Sequence, residues 1–215
     1  MSDPVLPPEF FHPEWRGKYD NPVHNKNLVH ANLNSTAESW AVWLEFTSDG
    51  NLSMGSGFFI DLPDLKDHKL ILTAAHNLID GKGKDTRDLK IFCKGNDKLK
   101  LEVVDTWCCP SYRASQNPEH DYAAIKVKCP AEISDCRGFV FAMGLGDVDQ
   151  LSGDAYVTGY RNTIPRKPTT SMGHLVVCFG KEKEMIEYRV VTEQGISGSC
   201  VWIGYDGYPT AIAIQ

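Results

Sequence analysis

The sequence of 215 residues lacks several features that mark whole classes of protein. No run approaches the roughly 20 consecutive apolar residues that span a bilayer, so we expect no membrane association. The chain carries 22 Lys and Arg against 28 Asp and Glu, a net charge of −6, and it has no dense basic stripe. We therefore expect no nucleic-acid partner, because binding to phosphates requires clustered positive charge.

The first residues also lack the pattern of a secretory signal. The segment MSDPVLPPEFFHPEW contains four prolines and three acidic residues, and no Lys or Arg occurs before Arg16. A signal peptide needs a basic start followed by an apolar stretch, and neither is present. We predict a cytoplasmic protein, with a secreted chain that has lost its signal as the alternative.

The cysteines lack the spacing of metal ligands. They form an odd set of seven with no CxxC pair, and the adjacent Cys108 and Cys109 suit neither a zinc knuckle nor an ordinary disulfide. We predict reduced, partly buried thiols and no metal site, as in a cytoplasmic protein.

Long helical patterns are also missing, and short strand-like runs take their place. With 18 glycines and 12 prolines the chain is rich in turns, and runs of β-branched and aromatic residues recur about every 10–15 residues. We interpret residues 1–35 as an extended N-terminal arm, 36–128 as a first β-barrel, 129–137 as a linker and 138–215 as a second β-barrel. The spacing alone does not separate a pair of barrels from a sandwich.

Three local patterns carry the side chains of nucleophilic catalysis. LTAAH places His76 just after an apolar strand, HDYAAIKV places Asp121 at the start of another, and GISGS places Ser197 in a glycine-rich loop. A serine hydroxyl is a weak nucleophile until a neutral imidazole takes its proton, and the imidazole needs a carboxylate to fix its tautomer. The three residues together therefore indicate acyl transfer.

The order of these residues along the chain excludes two classes of serine hydrolase. In α/β-hydrolases the histidine follows the serine, but no histidine follows Ser197, and GISGS lacks the last glycine of the GxSxG elbow. The subtilisin order requires an acid before His76 in a parallel α/β sheet, and the alternation of strands and long helices is absent. The chain order of the three residues, His76 first, then Asp121 and then Ser197, is therefore neither that of the α/β-hydrolases nor that of subtilisin.

This order and its surroundings resemble the chymotrypsin/trypsin-fold serine peptidases, and most of all the glutamyl-endopeptidase branch. LTAAHNLID is similar to the family's histidine turn, DYAAIKV to its aspartate strand and QGISGSCV to its nucleophile loop. The resemblance extends over roughly residues 38–215. It implies an all-β fold of two six-stranded antiparallel β-barrels with a catalytic cleft between them.

The resemblance also implies a role for each site residue. In a serine endopeptidase of this kind, His76 is the general base and later the general acid, Asp121 orients it, and Ser197 is the nucleophile. The backbone N–H groups of Gly195 and Ser197 form the oxyanion hole. No metal or organic cofactor is expected.

Several positions depart from the family pattern. Ile196 stands where digestive members carry an aspartate that receives a new amino terminus, so activation by that ion pair is not expected. Asn77 replaces the cysteine that commonly follows the catalytic histidine in those members.

Thr192 matches a threonine of the S1 pocket of glutamyl endopeptidases, whereas Gln215 falls about where that branch has a histidine. A neutral amide supplies no charge, so we predict a polar or small P1 residue.

The last run, PTAIAIQ, resembles the strand that leads into the substrate-binding edge of the family. We therefore expect the second barrel to be incomplete at the C-terminus, and a C-terminal continuation or a second chain to complete it. The expected partner is a protein or peptide substrate. The rival interpretation is a catalytically silent trypsin-fold module for protein interaction, although such a module has no chemical need for all three groups.

Overall fold

The computed structural model describes residues 31–62, 65, 67–93, 96–141, 153–176, 186–205 and 207–215. Within this part of the chain, thirteen strands form one sheet of seven strands and one of six. The predicted all-β, chymotrypsin-like fold is confirmed. Most of the predicted N-terminal arm, residues 1–30, lies outside the described residues.

The strands divide between the sheets in chain order. The first sheet contains β1 (Ala41–Ser48), β2 (Asn51–Ile60), β3 (His68–Thr73), β4 (Arg87–Cys93), β5 (Asn96–Leu101), β6 (Val103–Cys108) and β7 (Ala123–Lys128). The second contains β8 (Val140–Phe141), β9 (Gly153–Tyr160), β10 (Pro168–Val176), β11 (Glu187–Arg189), β12 (Cys200–Tyr205) and β13 (Tyr208–Ile214). Helix α1 (Ala31–Trp40) precedes β1. Between later strands lie helix α2 (Pro110–Ser115) and 3-10 turns at Ala75–Asn77, Pro118–His120 and Ala131–Ile133.

The first sheet closes into a barrel because one long strand serves both of its edges. The sheet order is β5-β4-β1-β2-β3-β7-β6, with antiparallel pairing throughout. Only Glu102 separates β5 from β6, so the two are halves of one bent strand that pairs with β4 at one end and β7 at the other. Counted in this way the barrel has six strands, as predicted, and no free edge is left between β5 and β6.

Strand β7 shows why these segments form strands around a core. Ala123, Ile125 and Val127 are buried, whereas Ala124 and Lys126 between them are only half-buried and Lys128 is exposed. This alternation with a period of two directs one face of the strand into the barrel. It also fixes the register with β3, in which Ile71 lies opposite Ile125.

The second sheet has the order β11-β10-β9-β12-β13-β8 and departs from a purely antiparallel arrangement at one edge. Strand β8 runs parallel to β13, with Val140 opposite Thr210. Phe139, the residue before β8, is fully buried, and its ring centroid lies 5.5 Å from that of Phe58 and 6.2 Å from that of Trp202. The Phe139 ring therefore packs against residues of both sheets.

Helix α1 was not predicted from the sequence. Residues 31–35, which we assigned to the end of the extended arm, lie in this helix instead. Leu33, Ala37 and Trp40 are buried at a spacing of four and three residues, which places them on one helical face. The Trp40 ring contacts that of Phe139 at 5.2 Å, so tertiary packing stabilises a segment with little amphipathic signal.

The predicted linker, residues 129–137, lies against the first barrel. It contains the 3-10 turn Ala131–Ile133, in which Ile133 is fully buried. The ammonium group of Lys69 donates a hydrogen bond to the carbonyl oxygen of Cys136 at 2.5 Å. Packing and this hydrogen bond therefore hold the connection between the sheets in a defined path.

Within the described residues, Cys108, Cys109, Cys129 and Cys200 are free thiols. Over the same residues, no helix has the length and apolar character needed to cross a membrane. Nor do these residues contain a group of three or more His, Cys, Asp or Glu side chains arranged to hold a metal ion.

Candidate active site

His76 lies in the short 3-10 turn that follows β3. Its neighbours Ala75 and Asn77 are buried, and the turn is closed by the N–H of Leu78, which donates to the carbonyl oxygen of Ala75 at 2.8 Å. Since both flanking side chains face the interior, the imidazole of His76 points outward, with 39% of its side chain exposed. The turn thus holds a solvent-accessible base on a fixed backbone.

Asp121 contacts His76 through both of its carboxylate oxygens. Oδ2 lies 2.6 Å from the ring atom Nδ1, and Oδ1 accepts a hydrogen bond from the backbone N–H of His76 at 2.9 Å. The two contacts fix the position of the ring relative to its own backbone. A carboxylate this close to Nδ1 favours the tautomer with the proton on Nδ1, which leaves Nε2 free to accept a proton.

A capped turn places Asp121 two residues before β7. The turn Pro118–His120 begins after Asn117, whose side-chain oxygen accepts a hydrogen bond from the N–H of Glu119 at 3.2 Å. The N–H of Asp121 then donates to the carbonyl oxygen of Pro118 at 3.2 Å. These bonds fix the backbone ahead of the carboxylate.

The loop before Ser197 turns at Gly195. The N–H of Ile196 donates to the carbonyl oxygen of Glu193 at 3.3 Å, and Gly195 has a φ of +98° at the third position of this turn. A side chain is strained at such a φ. A Cβ at Gly195 would also lie 2.9 Å from both the carbonyl oxygen of Tyr160 and the backbone nitrogen of Asn162. The position therefore requires glycine.

The carbonyl groups of this loop are all engaged by protein donors. Gln194 O accepts from Asn162 N (2.9 Å), Gly195 O from Ser56 Oγ (2.8 Å) and Ile196 O from Ser199 N (2.8 Å). Ser197 O accepts from both Ser56 N (2.8 Å) and Asn77 Nδ2 (3.0 Å). Each peptide plane of the loop is thereby fixed.

Two N–H groups of the loop remain available. The N–H groups of Ile196 and Gly198 donate to Glu193 and Gln215, but those of Gly195 and Ser197 have no acceptor among the residues that the structure describes. Backbone donors held in this way can bind a developing negative charge without reorganising. The resemblance to the family implies an oxyanion hole made of these same two groups.

Ser197 lies beside the histidine turn. The side-chain amide of Asn77, the residue after His76, donates to the Ser197 carbonyl oxygen, and the N–H of Ser56 donates to the same oxygen. The structure therefore brings His76 and Asp121 into direct contact and links the backbone of Ser197 to the turn that carries His76. Three segments that are distant in the sequence meet at this point.

The two residues predicted for the S1 pocket lie on either side of the nucleophile loop in the sequence. Thr192 is exposed. Gln215 is half-buried, and its backbone exchanges two hydrogen bonds with the loop, donating to Ser199 O at 3.0 Å and accepting from Gly198 N at 2.6 Å. No hydrogen bond joins Thr192 to Gln215 within the described residues.

Apolar packing explains the residue at position 196. Ile196 is buried and packs with Ala155, Val157 and Val201. A carboxylate at this point would be desolvated among aliphatic side chains, which is costly without a partner. The isoleucine therefore belongs to the core of the second sheet.

Burial keeps the neighbouring ionisable groups neutral. Complete burial raises the pKa of the Cys200 thiol well above its ordinary value. Burial also raises the pKa of the Tyr112 hydroxyl, and the negative charge of Asp121 adds to that effect. A thiol without an accessible thiolate form is a poor nucleophile, so Cys200 is a packing residue beside the nucleophile loop.

Sequence reasoning missed two residues that shape the site. Ser56 occurs in a GSGFF run that reads as a plain strand, and nothing in that run indicates a role in the nucleophile loop. Asn77 was noted only for the cysteine that it replaces. Both are buried polar residues, which the sequence alone does not reveal.

Comparisons with known proteins identify the family and the fold. The model of the trypsin-like peptidase domain family matches residues 55–212. No curated protein matches the sequence.

Several solved structures share the fold at low sequence identity. A thermostable serine protease, AL20, from an extremophilic microorganism is 12% identical, with a TM-score of 0.66 over 82% of this chain and 83% of that one. The protease Anisep from Arthrobacter nicotinovorans is 17% identical, with a TM-score of 0.62 over the same shares. A Glu endopeptidase in complex with MPD is 16% identical, with a TM-score of 0.58 over 90% of this chain and 91% of that one.

Proposed function

Because the chain belongs to the trypsin-like peptidase domain family, we propose that it is a serine endopeptidase whose nucleophile is Ser197. The observation that carries the proposal is the 2.6 Å contact between His76 Nδ1 and Asp121 Oδ2, reinforced by the bond from the His76 N–H to Oδ1. This contact gives the imidazole the orientation and tautomer of a general base.

The proposed reaction follows from these positions. His76 Nε2 takes the proton of the Ser197 hydroxyl while Oγ attacks the carbonyl carbon of the scissile peptide. The same proton then passes to the amine of the leaving fragment, and an acyl-enzyme remains on Ser197. Water, activated by His76, hydrolyses the acyl-enzyme and restores the free hydroxyl. Asp121 stays ionised and stabilises the imidazolium.

The oxyanion forms where the loop offers two donors. The N–H groups of Gly195 and Ser197 would each donate to the negative oxygen of the tetrahedral intermediate. Because the surrounding carbonyls are already hydrogen-bonded, the donors need not be oriented during the reaction. Preorganised donors of this kind contribute about 10²–10³-fold to kcat.

The substrate is proposed to be a protein or peptide with a polar or small P1 residue. Thr192 and Gln215 are the residues assigned to the S1 pocket, and both are neutral. Neither supplies the positive charge that would select an acidic side chain, nor the negative charge that would select Arg or Lys. The cytoplasmic location stays a prediction of the sequence.

A fluorophosphonate probe tests the proposal directly. Oγ of a competent serine displaces fluoride from phosphorus and becomes covalently phosphonylated. We expect labelling of the native protein at Ser197 and its loss in Ser197→Ala and His76→Ala. The matched control is Ser199→Ala, because Ser199 lies two residues further along the loop and its buried hydroxyl has no hydrogen-bond partner in the described part of the chain. This variant should be labelled like the native protein.

A folded native protein that takes no label would contradict the proposal and favour the silent interaction module. Labelling that persists in folded Ser197→Ala would also contradict it, since another residue would then carry the nucleophile.

A further inference from the structure

The side chain of Asn77 joins the histidine turn to the backbone of the nucleophile. Asn77 is 1% exposed, and its Nδ2 donates to Thr73 Oγ1 at 2.9 Å and to the carbonyl oxygen of Ser197 at 3.0 Å. The same nitrogen lies 3.5 Å from the carbonyl oxygen of Ser56. An amide that is this deeply buried must satisfy its donors within the protein.

The position of Asn77 in the chain makes this bond significant. Asn77 and His76 are neighbours in one three-residue turn, so a bond from Asn77 to Ser197 sets the distance between the two backbones. A second donor, the N–H of Ser56, reaches the same Ser197 oxygen at 2.8 Å and comes from strand β2. The peptide that follows the nucleophile is therefore held from two directions.

We propose that Asn77 is a positioning residue of the active site, which fixes Ser197 relative to His76 by donating to the Ser197 carbonyl oxygen. This inference rests on the proposed function. Asn77 binds the backbone carbonyl of Ser197 and acts on the reacting hydroxyl only through that backbone. Its effect is to keep the hydroxyl of Ser197 and the N–H of Ser197 in the geometry that attack and oxyanion binding require.

Gly55 provides the space that the amide occupies. A Cβ built on Gly55 would lie 2.5 Å from both Nδ2 and Oδ1 of Asn77, closer than real Cβ contacts allow. Gly55→Ala would therefore displace the amide without removing any hydrogen-bonding group. The glycine and the asparagine form one unit, so their substitutions should not be additive.

The experiment measures the rate and the extent of fluorophosphonate labelling separately. We expect Asn77→Ala to lower the maximal labelling rate about tenfold, which is the effect of losing one buried hydrogen bond of roughly 1.4 kcal/mol. The apparent probe affinity and the final labelled fraction should stay near native values. A purely structural role would instead lower the labelled fraction and the melting temperature but leave the rate of the folded molecules unchanged.

Two further variants separate the donor from the packing. Asn77→Leu refills the space without a donor, so the rate should remain low. Gly55→Ala should lower the rate in the native background and have little further effect in Asn77→Ala. Thr210→Val is the control, since Thr210 is equally buried but its hydroxyl donates to Tyr208 O within its own hairpin. It should label at the native rate.

The outcomes distinguish this inference from the proposed function. An unlabelled native protein contradicts the proposed function itself. A labelled native protein with native rates in folded Asn77→Ala and Asn77→Leu overturns only the role of Asn77. Rate losses for Gly55→Ala and Asn77→Ala that simply multiply in the double variant would overturn the inference that the glycine and the asparagine act as one unit.

Discussion

The hydroxyl of Ser56 donates a 2.8 Å hydrogen bond to the carbonyl oxygen of Gly195, which lies 139 residues further along the chain. The same hydroxyl accepts a hydrogen bond from the N–H of Tyr160 at 2.8 Å. Ser56 belongs to β2 of the first barrel, whereas Tyr160 ends β9 of the second sheet. One buried side chain thus joins both sheets to the loop that carries the nucleophile.

Replacing this hydroxyl should cost both stability and activity. Ser56→Ala removes the buried hydrogen bonds of this hydroxyl to Gly195 and Tyr160, and the loss of such buried bonds costs about 1–3 kcal/mol. We expect the free energy of unfolding in urea to fall by that amount and the labelling rate of Ser197 to fall with it. Ser134→Ala is the control, because Ser134 is exposed in the linker. Native behaviour of Ser56→Ala would contradict this role.

Asp121→Asn should abolish most of the activity without unfolding the protein. The amide oxygen can still accept the N–H of His76, but the amide nitrogen donates toward Nδ1 and drives the ring proton to Nε2. The ring then cannot accept the serine proton, and a loss of roughly 10⁴-fold in kcat follows. Peptide hydrolysis or probe labelling measures it. The control is Asp105→Asn, which replaces an exposed carboxylate on β6 and should remain active. Equal losses of kcat in the two variants would argue against a specific role for Asp121.

Gly195→Ala should lower activity far more than the same change at Gly207. Both glycines have positive φ, +98° and +78°, so each alanine carries a backbone strain of about 1–2 kcal/mol. Only at Gly195 does the added Cβ meet other backbone atoms, at 2.9 Å. We expect Gly195→Ala to lose about 10²–10³-fold in kcat and Gly207→Ala to retain native kcat. Similar losses in thermal stability, with native activity in both, would contradict the donor role of Gly195.

Cys200 should resist alkylation in the native protein. Burial raises the pKa of its thiol and also blocks access, so little thiolate is presented to iodoacetamide at pH 8. Mass spectrometry should find Cys200 unmodified under native conditions and modified after denaturation in urea. Rapid native alkylation of Cys200 together with loss of activity would instead point to a cysteine that takes part in the reaction.

Cleavage of a peptide library should favour polar or small P1 residues. The residues assigned to the S1 pocket, Thr192 and Gln215, offer hydroxyl and amide groups but no charge. Thr192→Val should reduce the preference for polar over small apolar P1 residues several-fold, because one hydrogen-bonding partner is lost. A profile dominated by Arg or Lys would show that another group forms the specificity pocket.

The sequence alone was enough to predict the fold class and to locate the candidate residues. Strands such as β7 could be identified because their short runs of apolar and β-branched residues, bounded by turn residues, are visible in the local sequence. The order His76, Asp121, Ser197 and their surrounding motifs indicated the family. Helix α1 could not be found in this way, because Leu33, Ala37 and Trp40 form a face that only the core around Phe139 makes favourable.

The positions of the functional groups were decided only by the tertiary structure. The sequence specified which chemical groups are present, since it names an imidazole, a carboxylate and a hydroxyl. It did not show that Asn77 and Ser56 would hold the Ser197 carbonyl, because a buried serine or asparagine has the same local pattern as an exposed one. Hydrogen bonds between residues more than a hundred positions apart form only after both sheets have packed, and these bonds set the geometry of the site.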